Sequence, residues 1–207
     1  MSEVARRSPV HPFRGPVLAA TSLVLALIAF GCQKPQNDAA GGANAATLSG
    51  PELVSRGQYL VTALGCNDCH TPRQMTPNGP EPDMTRMLSG HPEAVKLTPP
   101  PKFEAPWMWA GVATNTAFAG PWGITYAANV TPDQNTGLGV WTEEMFINAM
   151  RQGKHMGTSR SIQPPMPWMW YGKLTDDDLK SVFAYLRSIT PITNHVPDWE
   201  PPGGADY

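Results

Sequence analysis

The sequence has little charge and no basic excess. Lys and Arg total 15 and Asp and Glu total 17 in 207 residues. Nucleic acid is therefore not an expected partner, because its binding requires a basic surface. No apolar run reaches the roughly 20 residues of a membrane-spanning helix, which excludes a polytopic membrane protein. Hydrophobic residues nonetheless make up 41% of the chain, alongside 23 Pro and 19 Gly, which predicts a loop-rich globular protein.

The N-terminal segment has the composition of an export signal. Three arginines precede an apolar run of 14 residues, 17–30, and Gly31 and Cys32 follow it. A basic head, a short apolar region and a small residue are the parts of a secretory signal. We predict that residues 1–31 direct export and that Cys32 is lipidated. Residues 32–48 would then form a flexible tether to a membrane of the bacterial cell envelope, on the periplasmic side or at the cell surface. Alternatives are an uncleaved short anchor, or cleavage nearby with a free Cys32.

The other two cysteines lie in one short motif, Cys66-Asn67-Asp68-Cys69-His70. CxxCH is the attachment motif of c-type haem. Two thiols on one turn reach the two vinyl groups of a haem, and the adjacent imidazole lies under the iron. The motif predicts one covalently bound haem c, with His70 as the proximal iron ligand. A redox CxxC pair, a zinc half-site and a structural disulfide are alternatives, but the first lacks a βαβ pattern and the second lacks another ligand pair.

The sixth iron ligand distinguishes an electron carrier from an enzyme. Met166 lies among prolines just before the last predicted helix, so we expect its thioether on a rigid loop and predict it as the distal ligand. Three other side chains are alternative ligands: His155, Met156 and Met169. Thr71-Pro72 directly follows His70. We predict that a backbone carbonyl there, that of Pro72, orients the imidazole N–H.

Three segments have helical periodicity, at about 49–64, 142–153 and 175–190, each with capping residues at its start. Gly57 is expected to let the first helix cross the last one closely, against Tyr185 or Leu186. No strong alternating pattern predicts strands, so the predicted fold class is mostly α.

The connection formed by residues 71–128 is unusually long and contains ten prolines. Loops of this length usually have a function or a partner. Within it, Pro106-Trp107-Met108-Trp109-Ala110-Gly111 echoes a segment at 167–172, which we interpret as aromatic packing and not as a second haem site. His91, and later His195, lie in Pro-flanked segments and are expected at the surface.

The order of these features, a helix, CxxCH, Pro-rich loops, a Met-bearing loop and a terminal helix, resembles a class I cytochrome c domain. Several segments are similar to haem domains in the cytochrome subunits of periplasmic alcohol and gluconate-type dehydrogenases: Asn129-Val130-Thr131-Pro132-Asp133, residues 136–144, Pro165-Met166-Pro167-Trp168 and residues 174–179. The resemblance covers about residues 50–196 and implies electron transfer, with Met166 as the distal ligand. Those subunits commonly carry several CxxCH motifs, whereas this chain has one.

The sequence thus predicts a class I cytochrome c-like helical domain over residues 49–196, with long Pro-, Gly- and Trp-rich loops and with residues 71–128 as an inserted loop. Residues 197–207 are predicted to be a C-terminal tail. The predicted function is one-electron transfer between periplasmic or membrane redox partners, as a lipoprotein or as a subunit of a respiratory or dehydrogenase complex. The alternative is a haem enzyme, or a gas or peroxide sensor, in which Met166 is displaced from the iron.

Overall fold

The structure, a computed structural model, describes residues 48–203 of the chain. The predicted export signal, Cys32 and residues 33–47 of the tether lie outside this range. The described residues form five α-helices and five short strands in the following order: α1 (Gly50–Ala63), α2 (Cys66–His70), β1 (Arg73–Thr76), β2 (Gly79–Pro82), β3 (Ala110–Gly111), β4 (Ala117–Gly120), β5 (Gly123–Tyr126), α3 (Glu143–Gln152), α4 (Trp168–Tyr171) and α5 (Asp176–Ser188). Over residues 48–203, no helix has both the length and the apolar character that a membrane span requires.

The three predicted helices are confirmed, and their caps explain where they begin. In α1 the backbone N–H of Ser49 donates a hydrogen bond to the Glu52 carboxylate at 2.9 Å. The Thr142 hydroxyl accepts from the third residue of α3 at 3.1 Å, and the Thr175 hydroxyl accepts from the N–H of Asp178 in α5 at 3.1 Å. These bonds satisfy backbone donors that the first turn of a helix leaves without partners.

Helices α1 and α5 cross at Gly57, as predicted. A Cβ atom at this position would lie 1.9 Å from the carbonyl oxygen of Ser181 and 2.7 Å from the Cβ of Tyr185. Only a residue without a side chain allows this approach, and it brings the apolar faces of the two helices together. Their buried side chains form one core with residues from α3 and two loops: Leu60, Val61, Leu88, Leu138, Phe146, Leu179, Val182, Phe183 and Leu186.

The long connection 71–128 is not only a loop, which corrects the prediction. Strands β1 and β2 form an antiparallel hairpin, and β3, β4 and β5 form a second antiparallel sheet in that order. Each strand has only two to four residues, and all four residues of β4 are buried. Strands this short leave no alternating pattern to read. The described part of the chain is therefore a set of helices with two small antiparallel sheets.

One of two expectations about loop histidines is corrected by the structure. His91 is fully buried, with Nδ1 2.9 Å from the Thr116 hydroxyl and Nε2 3.2 Å from the Val95 carbonyl. Val95 is a local partner, but Thr116 lies 25 residues later, so the local pattern did not indicate that His91 is buried. His195 is exposed, as expected.

The start of the predicted C-terminal tail is part of the fold. Glu200 forms two backbone hydrogen bonds with Ile124 of β5, at 2.9 and 3.0 Å. The Trp199 indole N–H donates to the Trp122 carbonyl at 2.8 Å. The segment up to Glu200 is thereby fixed to the second sheet.

Candidate functional site

A cavity of about 390 Å³ lies between the helices and the second sheet. Its volume falls in the range of about 300–1,000 Å³ that is usual for cofactor and ligand sites. The structure brings four predicted site residues to the wall of this one cavity: Cys66, Cys69, His70 and Met166. Much of the remaining wall is apolar and aromatic, including Leu64, Phe118, Leu138, Trp141, Phe146 and Leu179.

The two cysteines reach the cavity because α1 ends just before them. Gly65 has a left-handed backbone conformation (φ 69°), which turns the chain from α1 into the short helix α2. Residues three apart lie on the same face of a helix, so both thiols face the same side. Both are free and half-buried. Burial raises the pKa of the Cys66 thiol to about 11 and also raises the pKa of Cys69, so both are protonated at neutral pH.

His70 is held in one tautomer by a backbone carbonyl. Its Nδ1 lies 2.8 Å from the carbonyl oxygen of Ala128. Because a carbonyl only accepts hydrogen bonds, Nδ1 carries the proton and Nε2 keeps its lone pair. Burial also lowers the pKa of His70, which favours the neutral ring. A neutral imidazole with an available Nε2 is the form that binds a metal.

The carbonyl that orients His70 is not that of Pro72, and this prediction is wrong. The Pro72 carbonyl instead accepts the backbone N–H of Asp83 at 2.8 Å. The chain leaves α2 in an extended conformation at Thr71 (φ −108°, ψ 119°), which continues toward β1. The true partner, Ala128, lies 58 residues later, and no local signal in the sequence indicates it.

The segment that carries Met166 is followed by a short helix that packs against two other parts of the fold. It leads into α4, whose Trp168 ring packs over Gly153 so closely that a Cβ there would lie 2.3 Å away. At the other end of α4, the Tyr171 hydroxyl donates to the Leu64 carbonyl at 2.8 Å. The half-buried Met166 is thus anchored both to the end of α3 and to the turn that precedes Cys66.

Of the alternative ligands, only His155 shares the cavity. Met156 and Met169 do not line it, and the Met169 side chain is largely exposed. The His155 ring packs edge-on against Trp141, with 5.0 Å between ring centroids. Burial is the largest cause that lowers the pKa of His155, and the nearby Arg160 lowers it further while Asp198 opposes this effect. Arg160 and Asp198 also line the cavity and were missed in the sequence, where neither belongs to a motif.

This set of side chains fits haem c better than zinc. Within residues 48–203, no group of three or more His, Cys, Asp or Glu side chains is arranged to hold a metal ion. Two neighbouring thiols, one imidazole with an available Nε2 and one thioether instead surround an apolar cavity of cofactor size. Soft sulfur and imidazole are established axial ligands of haem iron.

The echoed aromatic segments pack only in part, which corrects the prediction. Trp107 and Trp170 are 76% and 70% exposed, so the predicted packing is wrong for both. Trp109 does pack, edge-on against Phe118 with 6.0 Å between ring centroids.

Comparisons with known proteins agree with the resemblance. The chain is 29% identical over 150 residues to the fructose dehydrogenase cytochrome subunit of Gluconobacter japonicus, covering 72% of this chain and 24% of that one. It is 27% identical over 149 residues to the cytochrome c subunit of a quinone alcohol dehydrogenase of Gluconobacter oxydans strain 621H, covering 70% and 24% of the two chains. It is also 27% identical over 151 residues to the gluconate 2-dehydrogenase cytochrome c subunit of Pantoea cypripedii, covering 72% and 26%.

The chain thus spans about a quarter of the length of these curated relatives. No protein-family profile matches it. The chain is similar to the cytochrome c subunits of these dehydrogenases, as its motifs predict.

Proposed function

We propose that this chain is a single-haem c-type cytochrome that carries one electron at a time between redox partners of the bacterial cell envelope. The observation that carries the proposal is that Cys66, Cys69, His70 and Met166 all line one apolar cavity. The similarity to cytochrome c subunits supports it. On this proposal the described residues form a class I cytochrome c-like domain whose helices and second sheet would enclose the cofactor.

The residues of the CxxCH motif would hold the haem. Cys66 and Cys69 would hold it covalently, each by adding its sulfur and its hydrogen across one vinyl group, which needs no external oxidant. His70 would bind the iron through Nε2, while the Ala128 carbonyl holds the ring in the required tautomer. Met166 would supply a thioether ligand to the iron. The bound haem supplies reversible one-electron exchange between ferrous and ferric iron.

The protein contributes rigidity and exclusion of water. Met166 lies on a segment anchored by Trp168 and Tyr171, which would limit movement of the thioether when the iron changes oxidation state. An iron bound by both His70 and Met166 would favour electron transfer over turnover of a substrate. We therefore propose an electron-transfer protein that is not itself a catalytic enzyme.

The partners follow from the relatives and from the N-terminal segment. The relatives are named as cytochrome subunits of fructose, alcohol and gluconate dehydrogenases. We therefore propose that this chain exchanges electrons with a redox partner protein or with a subunit of a membrane electron-transfer complex. Residues 1–31 would direct export and a lipid on Cys32 would hold the domain at the membrane on the periplasmic side or at the cell surface.

Optical spectra of the haem-loaded protein test the axial ligands. The oxidised wild type should show the weak charge-transfer band of iron–thioether coordination, with one haem per chain. A Met166→His variant should lose this band and have a lower reduction potential, because imidazole favours ferric iron relative to a thioether. Met169→His is the matched control: it makes the same change at an exposed position outside the cavity, so it should retain the band.

Other outcomes discriminate the alternatives. A high-spin wild-type spectrum with peroxide turnover or gas binding would establish an open iron and support the enzyme or sensor. A wild type that incorporates no haem in a cell with cytochrome c maturation would refute the proposal altogether.

A further inference from the structure

The cavity wall includes a polar part that the axial ligands leave unexplained. We define this polar wall as His155, Arg160 and Asp198, all of which line the cavity. The three are close enough for both Arg160 and Asp198 to influence the protonation of His155. Most of the wall elsewhere is apolar, so a bound cofactor with charged groups would find its counter-charge here.

Arg160 is positioned by a loop with its own backbone hydrogen bonds. The N–H of His155 donates to the Arg160 carbonyl at 2.9 Å, and the N–H of Ile162 donates to the Gly153 carbonyl at 2.8 Å. Gly157 in the same loop packs against α3, because a Cβ there would lie 2.7 Å from the Cβ of Asn148. The loop thus holds Arg160 at the part of the cavity wall that is exposed to solvent.

The guanidinium of Arg160 has no counter-ion within residues 48–203. Arg56 and Arg151 each pair with an aspartate of α5, whereas Arg160 forms neither an ion pair nor a side-chain hydrogen bond in the described part of the chain. The aspartate of the polar wall, Asp198, is not within ion-pair distance of it. Arg160 is also the one Lys or Arg among the residues that line the cavity in this part of the structure.

Haem carries two carboxylates, and these are its only acidic groups. Moving a carboxylate to an apolar cavity without a counter-charge is unfavourable, and the planar guanidinium matches a carboxylate with two parallel hydrogen bonds. We propose that Arg160 binds a haem carboxylate and thereby raises the reduction potential of the iron. The inference rests on the proposed function, since it requires haem in this cavity.

The sign of the effect follows from charge. Reduction adds one electron to the haem, so a nearby positive charge stabilises the ferrous form and removal of that charge lowers the potential. Arg160 also holds its carboxylate partner ionised. Without it, the carboxylate would take up a proton more readily at mildly acidic pH, and the potential would become dependent on pH.

The test uses the haem-loaded full chain and equilibrium redox titrations followed by the visible spectrum at pH 5 to 8. In Arg160→Gln, we expect the ferrous-to-ferric equilibrium constant to fall about three- to tenfold, where a factor of ten corresponds to about 59 mV for one electron. The reduction potential of Arg160→Gln should also depend more strongly on pH than that of the wild type. Arg160→Lys keeps the charge but not the two parallel hydrogen bonds, so its reduction potential should lie between those of the wild type and Arg160→Gln.

Lys102→Gln is the matched control, because it removes the same charge from an exposed residue that does not line the cavity. Its potential should equal that of the wild type. His155, His195 and Asp198 are the other titratable groups of the cavity wall on this side. Because Arg160 also lowers the pKa of His155, the titration is repeated with Arg160→Gln in a His155→Gln background, and a pH dependence that persists there comes from the carboxylate.

Two results separate this inference from the proposed function. If the wild type and Arg160→Gln both carry haem with the same spectrum, potential and pH profile, Arg160 does not bind the carboxylate, although the cytochrome assignment stands. If the wild type carries no haem, the proposed function itself fails.

Discussion

Replacing Gly57 with Ala tests whether the close crossing of α1 and α5 supports the domain. The added Cβ would lie 1.9 Å from the Ser181 carbonyl oxygen and 2.7 Å from the Cβ of Tyr185. The first of these atoms belongs to the backbone, so no side-chain rotation relieves the contact. The two helices must separate by about 1 Å or more, because non-bonded heavy atoms pack favourably only at about 3.5–4.0 Å.

Two contributions of opposite sign decide the magnitude. Overpacking of this kind costs about 1–3 kcal/mol, and occasionally more, as displaced core side chains lose contact. Alanine recovers up to about 1 kcal/mol because it favours the helical conformation over glycine. Since the clash is with backbone on a fully buried face, we expect the upper end of the cost and a net destabilisation of about 2 kcal/mol. For a domain of this size, this lowers the unfolding temperature by about 4–8 °C.

Gly50→Ala in the same helix is the control, because nothing lies within 4 Å of its Cβ position. Urea denaturation of both haem-loaded variants, followed by far-UV circular dichroism, measures the difference. Gly50→Ala should unfold at or slightly above the wild-type midpoint, and Gly57→Ala clearly below it. Equal stability of Gly57→Ala and wild type would refute the close packing of the two helices.

Two further predictions concern a buried histidine and the membrane anchor. Burial lowers the pKa of His91 below its usual value of 6.5, and Arg86 and Lys96 lower it further. The stabilisation that the neutral His91 ring provides should therefore be complete above about pH 6.5 and decline as the pH falls below that value. His91→Asn should lower the unfolding free energy at pH 7.5 by about 1–3 kcal/mol, because it leaves buried polar partners unsatisfied. From denaturation curves, the difference in unfolding free energy between His91→Asn and the wild type should be smaller at pH 5 than at pH 7.5. A difference that does not change with pH would contradict a lowered pKa for His91. Cys32→Ser should move the haem protein from the membrane fraction to the soluble fraction of fractionated cells; unchanged membrane association would exclude a lipid on Cys32 as the anchor.

The features that sequence analysis predicted correctly are those encoded within a few neighbouring residues. The starts of α1, α3 and α5 were predictable because their capping side chains bond to backbone within three residues. Placement of the CxxCH residues on one turn was predictable because the spacing itself sets it. The crossing at Gly57 was predictable because a lone glycine on an apolar helical face indicates close contact.

Two of the features that could not be predicted from the sequence depend on contacts between distant segments, and a third depends on the shortness of the strands. The partner of the His70 ring is a backbone carbonyl, and every residue has one, so composition does not reveal that it belongs to Ala128. The burial of His91 depends on Thr116, which lies 25 residues later. The strands of residues 71–128 are too short for their pattern to stand out from their Pro- and Gly-rich surroundings.

These missed features together change the interpretation of residues 71–128. The segment ends with the carbonyl that orients His70, and Phe118 and Tyr126 from its second sheet line the same cavity. The C-terminal residues in turn add to this sheet at Ile124 and bring Trp199 to the cavity wall. Residues 71–128 therefore form one side of the cavity and set the tautomer of His70, the proposed iron ligand. Deleting the segment would remove part of the site, whereas an insertion that only extended the surface would leave the site intact.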